Sequence, residues 1–244
     1  LLHGPRDGDQ FEPPGRMERP VAILHGAFFH EPAHDLFEEE GVATGALLDP
    51  GEHGAGQVAS AGEPFDLAVI TPAIIDDLIK SGKIAGARVN LARVGMGVAV
   101  KEGSPRPDIS TLDAFKHALT SARAVAYIDP KAGGSSGIYF DKLLERLGIA
   151  DTVRPKARLK AGGYVAEALV SGEADLAVHQ ISEILPVKGA ILAGPLPDEI
   201  QHYTIYAAGL SAAARDPAAA QAWIDYLQGA AATDAIVGRG MSRP

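Results

Sequence analysis

From Phe65 to the C-terminus, short apolar runs alternate with amphipathic stretches of helix length, and Gly, Pro, Ser or Thr marks the changeovers. A chain punctuated in this way must bury its strands under helices, so the class is α/β with mostly parallel sheets. Asp66-Leu67-Ala68-Val69-Ile70-Thr71 reads as a buried strand. Thr71 and Pro72 then suit the cap and first residue of a helix that reaches about Lys80 and stops at Gly82. Val94 to Val100 reads as a strand in which Gly95 and Gly97 admit close backbone approach. A helix near Ser110 to Ala122 follows, with strands at Ala124 to Ile128, Ala174 to Val178 and Thr204 to Ala208. The plainest element is a helix with Phe140, Leu143, Leu144 and Leu147 on one face and Asp141, Lys142, Glu145 and Arg146 on the other, closed by Gly148. A short helix from Tyr164 to Val170, and one opened by Asp216-Pro217 and stopped at Gly229, complete the pattern.

Residues 1 to about 60 are unlike the rest. They hold five of the eight histidines and are broken by Pro13-Pro14-Gly15 and Asp49-Pro50-Gly51. Only Pro20 to Leu24, as a strand, and Asp35 to Glu40, as a helical turn, look foldable. The chain opens on Leu1-Leu2-His3 with no basic-then-apolar leader, so a leader was removed or the start is not the natural one. His25, His30 and His34, with Glu31, invite a metal reading, but Pro32 interrupts the one helix that would align them, and no metal site or cofactor is expected.

Composition narrows the function. With no cysteine, disulfides, thiolate metal sites and a Cys nucleophile are excluded. No apolar run reaches the roughly 18 residues of a membrane-spanning helix. A net charge of −9 without a block of like charge argues against nucleic acid and anionic membranes as partners. A small anion stays open, because backbone N–H groups and helix N-termini supply local positive potential.

Ligands of open α/β sheets collect where strands end and helices begin. Three such turns stand out. In Asp129-Pro130-Lys131-Ala132-Gly133-Gly134-Ser135-Ser136-Gly137-Ile138-Tyr139, the glycines let N–H groups face a ligand and two hydroxyls can donate to it. The plainer alternative is a flexible loop with Ser135 or Ser136 as helix cap. It lacks the Lys-Ser/Thr ending of a nucleotide-binding loop, and Ser136 sits in no nucleophile elbow. In Ala161-Gly162-Gly163-Tyr164, two glycines at a helix start expose donors and the tyrosine could wall a site; a plain turn is the alternative. In His179-Gln180-Ile181-Ser182-Glu183, polar side chains after a strand would face the same cleft, though a lone histidine is more often structural.

Taken together, Phe65 to Thr71, Asp129-Pro130 with Ser136-Gly137-Ile138-Tyr139, and Ser171-Gly172-Glu173-Ala174-Asp175-Leu176 resemble the periplasmic molybdate-binding protein family of type II ABC transporter solute-binding proteins, over residues of about 60 to 244. The resemblance implies a type II periplasmic-binding-protein fold, two α/β lobes with a ligand cleft between them. Residues 61–98 plus 187–244 would form one lobe and 99–186 the other, with crossovers near Val94–Val100 and Thr204–Ala208. It further implies a monomer that holds a small anion (molybdate, tungstate or an organic carboxylate) in the periplasm and delivers it to an ABC permease. The ligand residues carried over are Thr71, Ser135, Ser136, Gly137, Gly162, Gly163 and Tyr164. The family's late tyrosine falls at His179 or Gln180, a departure that suits a carboxylate at least as well as molybdate. Some relatives of this kind resemble aconitate isomerases, and for that alternative activity His179 and Glu183 are the candidate bases. The family's opening strand and Ser/Ala-rich loop are not recognisable here, and Gly54-Ala55-Gly56 with Ser60 is the only remnant of its second loop. Residues 1 to about 58 are therefore expected to come from a shifted reading frame or a misassembled start.

Overall fold

The computed structural model describes residues 64–244, together with two short strands before them, β1 (Ile23–His25) and β2 (Leu47–Leu48). The strand expected over Pro20 to Leu24 overlaps β1. The helical turn at 35–40, the remaining N-terminal histidines and the Gly54–Ser60 remnant lie outside the described residues. In chain order there follow β3 (Leu67–Ile70), α1 (Pro72–Lys80), β4 (Ile84–Lys101), α2 (Leu112–Ser121), β5 (Val125–Ile128), α3 (Ser135–Arg146), α4 (Ala150–Val153) and β6 (Ala157–Lys160). After these come α5 (Glu167–Val170), β7 (Leu176–Gln180), α6 (Ile181–Ile184), β8 (Ala190–Pro195), β9 (Tyr203–Ser211), α7 (Pro217–Gln228), α8 (Ala231–Gly238) and β10 (Met241–Ser242).

β4 is the spine. From Ile84 opposite Ser211 to Gly95 opposite Tyr203 it runs antiparallel to β9. From Met96 onward its partners change to β7 and β8. One strand thereby enters two sheets, the first ordered β2-β1-β3-β9-β4 and the second β4-β7-β5-β6. The chain returns from β8 to β9 through residues 196–202, just ahead of the Thr204–Ala208 stretch expected as a crossover. Residues 190–195 pair within the second sheet, although the expected first lobe takes in everything from 187 onward.

Among the described residues, parallel ladders occur only within β2-β1-β3 and β6-β5-β7, while the ladders of β4 and β9 are antiparallel. The sheets are therefore mixed, not mostly parallel. The reason is that the two crossing strands join sheets instead of closing βαβ units.

Alternate residues of each strand feed opposite layers, which is why β3, β5 and β7 are apolar without interruption up to the polar end of β7. Leu67 and Val69 pack with Leu91, Val94, Trp223 and Ile224 under α7, while Ala68 and Ile70 pack with Ile75 and Leu78 of α1. Val125, Tyr127, Leu176 and Val178 meet Phe115, Phe140, Leu143 and Leu144 of α2 and α3. Ala126, Ile128 and Ala177 face Val165, Leu169 and Ile184. Each fully buried Leu, Val, Ile or Phe in these four clusters contributes about 1.5–3 kcal/mol toward holding the sheets. Gly97 of β4 is needed for close approach: a Cβ there would lie 2.7 Å from Leu192 Cδ1 and 3.1 Å from the Gly194 carbonyl oxygen.

Candidate functional site

Where β5 ends, the chain passes through Asp129 and a short 3-10 turn (Pro130–Ala132) into α3. Gly134 is the N-cap, so the plainer alternative, a helix cap by Ser135 or Ser136, does not hold; both serines lie inside the helix. The first bond of the helix joins Ile138 N–H to the Gly134 carbonyl at 3.1 Å. The N–H groups of Ser135, Ser136 and Gly137 therefore have no acceptor within the helix, and no acidic side chain occupies the first turn. Gly137 lets this turn press on β5, since a Cβ there would stand 2.3 Å from the Ile128 carbonyl oxygen.

A buried polar cluster meets this helix end. Gln180, the last residue of β7, donates through Nε2 to Thr204 Oγ1 at 2.9 Å and to Ser135 Oγ at 3.4 Å. The two hydroxyls are 3.3 Å apart. The Tyr206 hydroxyl donates to Gln180 Oε1 at 3.0 Å. Gln180, Thr204 and Tyr206 are all buried, and burial holds the Tyr206 phenol far above its ordinary pKa. Ser135 and Gln180 belong to the second sheet's side and Thr204 and Tyr206 to β9 of the first, so the cluster spans the junction of the two. Ser135, rather than Ser136, is the serine whose hydroxyl joins it.

His179 points the other way, as neighbours on a strand must. It is buried, its Nδ1 has no partner, and burial together with the Lys160 ammonium holds its pKa down at about 3. Glu183, in α6, is buried with Oε2 unpartnered, and burial pushes its pKa up to about 8. Ser182 Oγ between them is also without a partner. His179 is thus a neutral imidazole at ordinary pH and a poor proton acceptor, whereas Glu183 is a carboxylic acid that loses its proton just above neutrality.

Gly162 and Gly163 are exposed and Tyr164 is half-buried, in a turn where Gly163 has φ +70. The helix expected from Tyr164 begins only at Glu167, so these residues do not form its first turn. Lys160 holds the turn by donating to the Tyr164 carbonyl at 3.2 Å and by pairing with Glu167. Thr71 is the N-cap of α1 as expected, but its hydroxyl makes no capping bond and is left available. The ladder pairs Ile70 with Ala207, so its next step brings Thr71 level with Tyr206.

Sequence reasoning missed Thr204, Tyr206 and Lys160 as members of this region. The one signal for the first two was their spacing: two polar residues at i and i+2 share a face of an otherwise apolar strand. Among the described residues no group of three or more His, Cys, Asp or Glu is placed to hold a metal ion, and no helix is long and apolar enough to cross a membrane.

Comparison with known proteins gives a consistent picture. A family described as bacterial extracellular solute-binding protein matches residues 31–242, a span that takes in part of the atypical N-terminal stretch. An aconitate isomerase from a Pseudomonas species is 35% identical over 181 residues, 73% of this chain and 68% of that protein. Among solved structures, the periplasmic molybdate-binding protein of Azotobacter vinelandii has a TM-score of 0.68 at 17% identity, covering 92% of this chain and 99% of its own. A tungstate-binding protein of Desulfovibrio alaskensis has a TM-score of 0.61 at 10% identity, covering 93% and 99%. At such identities these two structures establish the fold.

Proposed function

The chain belongs to the bacterial extracellular solute-binding proteins, and from that premise we propose that it binds a small oxyanion or organic carboxylate between its two lobes and passes it to an ABC permease. The observation that carries this reading is the junction of the open N-terminus of α3 with the hydroxyls of Ser135 and Thr204. Helix N–H groups and neutral hydroxyls are donors suited to a small anion and need no formal positive charge, in keeping with the acidic chain. In this reading Ser135, Ser136 and Gly137 bind from one lobe and Thr71 from the other, Gln180 takes the place of the family's late tyrosine, and Gly162, Gly163 and Tyr164 rim the site. Closure of the lobes over the ligand is the working motion.

The test is a thermal-shift screen of the purified chain against molybdate, tungstate, sulfate, citrate, and cis- and trans-aconitate. A ligand at a hundredfold excess over its dissociation constant stabilises the folded state by about 2.7 kcal/mol. An upward shift with at least one of these anions is expected, and its chemistry names the class. No shift with any of them sinks the reading.

A second reading, isomerisation of a small tricarboxylate, is favoured by one feature beyond the 35% identical relative: Glu183, unpartnered at Oε2 and titrating at about 8. A carboxylate of that basicity is better matched to taking a carbon-bound proton beside a carboxyl group than the His179 imidazole is. Should trans-aconitate give a shift in the screen, its turnover is measured on the same sample, and absence of conversion rejects the isomerase.

A further inference from the structure

We infer that Tyr206 and Gln180 form an orienting relay that turns Thr204, together with Ser135, into a donor to the bound anion, so that the returning strand β9 supplies one wall of the site. The inference rests on the anion-binding reading above. The Tyr206 hydroxyl donates to Gln180 Oε1 at 3.0 Å, which holds the carboxamide oxygen toward the phenol. The amide N–H2 is then turned to Thr204 Oγ1 at 2.9 Å and Ser135 Oγ at 3.4 Å. A hydroxyl whose oxygen already accepts an N–H must send its own proton elsewhere. The 3.3 Å gap between the two hydroxyls can be bridged by one of their protons only. At least one proton is therefore left for a ligand, and both are when the ligand breaks that contact. A carboxamide facing the other way would present Oε1 to the hydroxyls, which would donate to it and offer an incoming anion nothing but lone pairs.

Burial gives the relay its force. Gln180, Thr204 and Tyr206 are 4%, 6% and 4% exposed, so a mis-set donor cannot be replaced by bulk water. The ligand chemistry this selects is an anionic oxygen carrying no proton of its own, shared by tetrahedral oxyanions and ionised carboxylates. Thr204 is the contact in this scheme and Tyr206 is a positioning residue.

The experiment is calorimetric titration of the full chain with tungstate and, separately, with trans-aconitate, on the parent and on Tyr206→Phe, Thr204→Val, Thr204→Ser and the Tyr206→Phe/Thr204→Val double variant. For whichever probe the parent binds, Thr204→Val and Tyr206→Phe each weaken binding about tenfold or more. Thr204→Ser, which keeps the hydroxyl, binds within about threefold of the parent. The double variant loses far less than the product of the two single losses, because Tyr206 acts through the donor that Thr204 carries. Multiplicative losses without recovery by serine would mark a packing role and overturn the relay, as would undiminished binding by Tyr206→Phe. A parent chain that binds neither probe overturns the anion site itself, and the relay's role goes with it. Far-UV circular dichroism confirms that each variant is folded; if Tyr206→Phe is not, the Thr204 pair decides the contact by the same criterion.

Discussion

His179 and Glu183 sit four residues apart and are buried with opposite consequences for stability. Glu183 is pushed up from 4.5 to about 8, so the folded state keeps a proton that the unfolded chain has already lost. Its contribution is complete below about pH 4.5 and is lost as pH rises through about 8. His179 is held down from 6.5 to about 3, so its contribution is present above about pH 6.5 and is lost as pH falls through about 3. Between those ordinary values the two slopes, each about 1.4 kcal/mol per pH unit, have opposite sign and offset one another. Above pH 6.5 only the Glu183 slope remains, and the parent should lose about 2 kcal/mol by pH 8. Glu183→Gln, which cannot ionise, should hold its stability over that interval. Urea denaturation at pH 5, 6.5 and 8 checks this, and equal losses in parent and variant would show that Glu183 is not the group responsible.

At the scale of elements, the decisive contact is the first turn of α3 against the end of β5. Adding a Cβ to Gly137 puts it 2.3 Å from the Ile128 carbonyl oxygen, where backbone meets backbone and nothing flexible can yield. Gly137→Ala should therefore push the turn outward, carrying Ser135 away from Gln180, at a cost of about 1–3 kcal/mol in stability. Gly162→Ala is the control: its added Cβ meets nothing within 4 Å, so stability should stay within about 0.5 kcal/mol. Chemical denaturation of the two variants side by side makes the comparison, and a harmless Gly137→Ala would refute the close approach. This turn was legible in the sequence because a strand, a Gly/Ser run and an apolar stripe follow one another directly between Ala124 and Leu147. The caps at Thr71-Pro72 and Asp216-Pro217 were legible for the same reason: capping chemistry is local. The late start of α5 was not, because Lys160 reaches from β6 to hold the Tyr164 carbonyl in a turn. The length of β4 was also hidden, since Arg88, Asn90 and Arg93 interrupt the apolar run that would have marked Ile84–Lys101 as one strand. The partnership of Gln180 with Thr204 and Tyr206 joins residues over twenty positions apart, and no local pattern encodes it.

Across the whole molecule, the sharing of β4 between two sheets decides how the protein unfolds. Where β4 changes partners, the Gln201 side chain closes the gap in the ladder: Met96 N–H donates to its Oε1 at 2.8 Å, and its Nε2 donates to the Met96 carbonyl at 3.0 Å. Both backbone groups of Met96 are thus hydrogen-bonded at the crossing point, and disorder in one sheet deprives the other of a strand they share. The two parts should unfold together. The single tryptophan makes this measurable, because Trp223 is fully buried in the core of the first sheet and reports on that part alone. Far-UV circular dichroism reports on both. In the parent, the fluorescence and dichroism curves in urea should coincide. Gln201→Ala leaves the buried Met96 N–H without its partner, while the Met96 carbonyl still accepts from Leu196 N–H at 3.1 Å, and should cost about 1–3 kcal/mol. Both curves should move down together, because the backbone of β4 still joins the sheets. A Trp223 transition that separates from the dichroism curve in the parent would show instead that the sheets are independent units, and that the shared strand tethers them without coupling their stability.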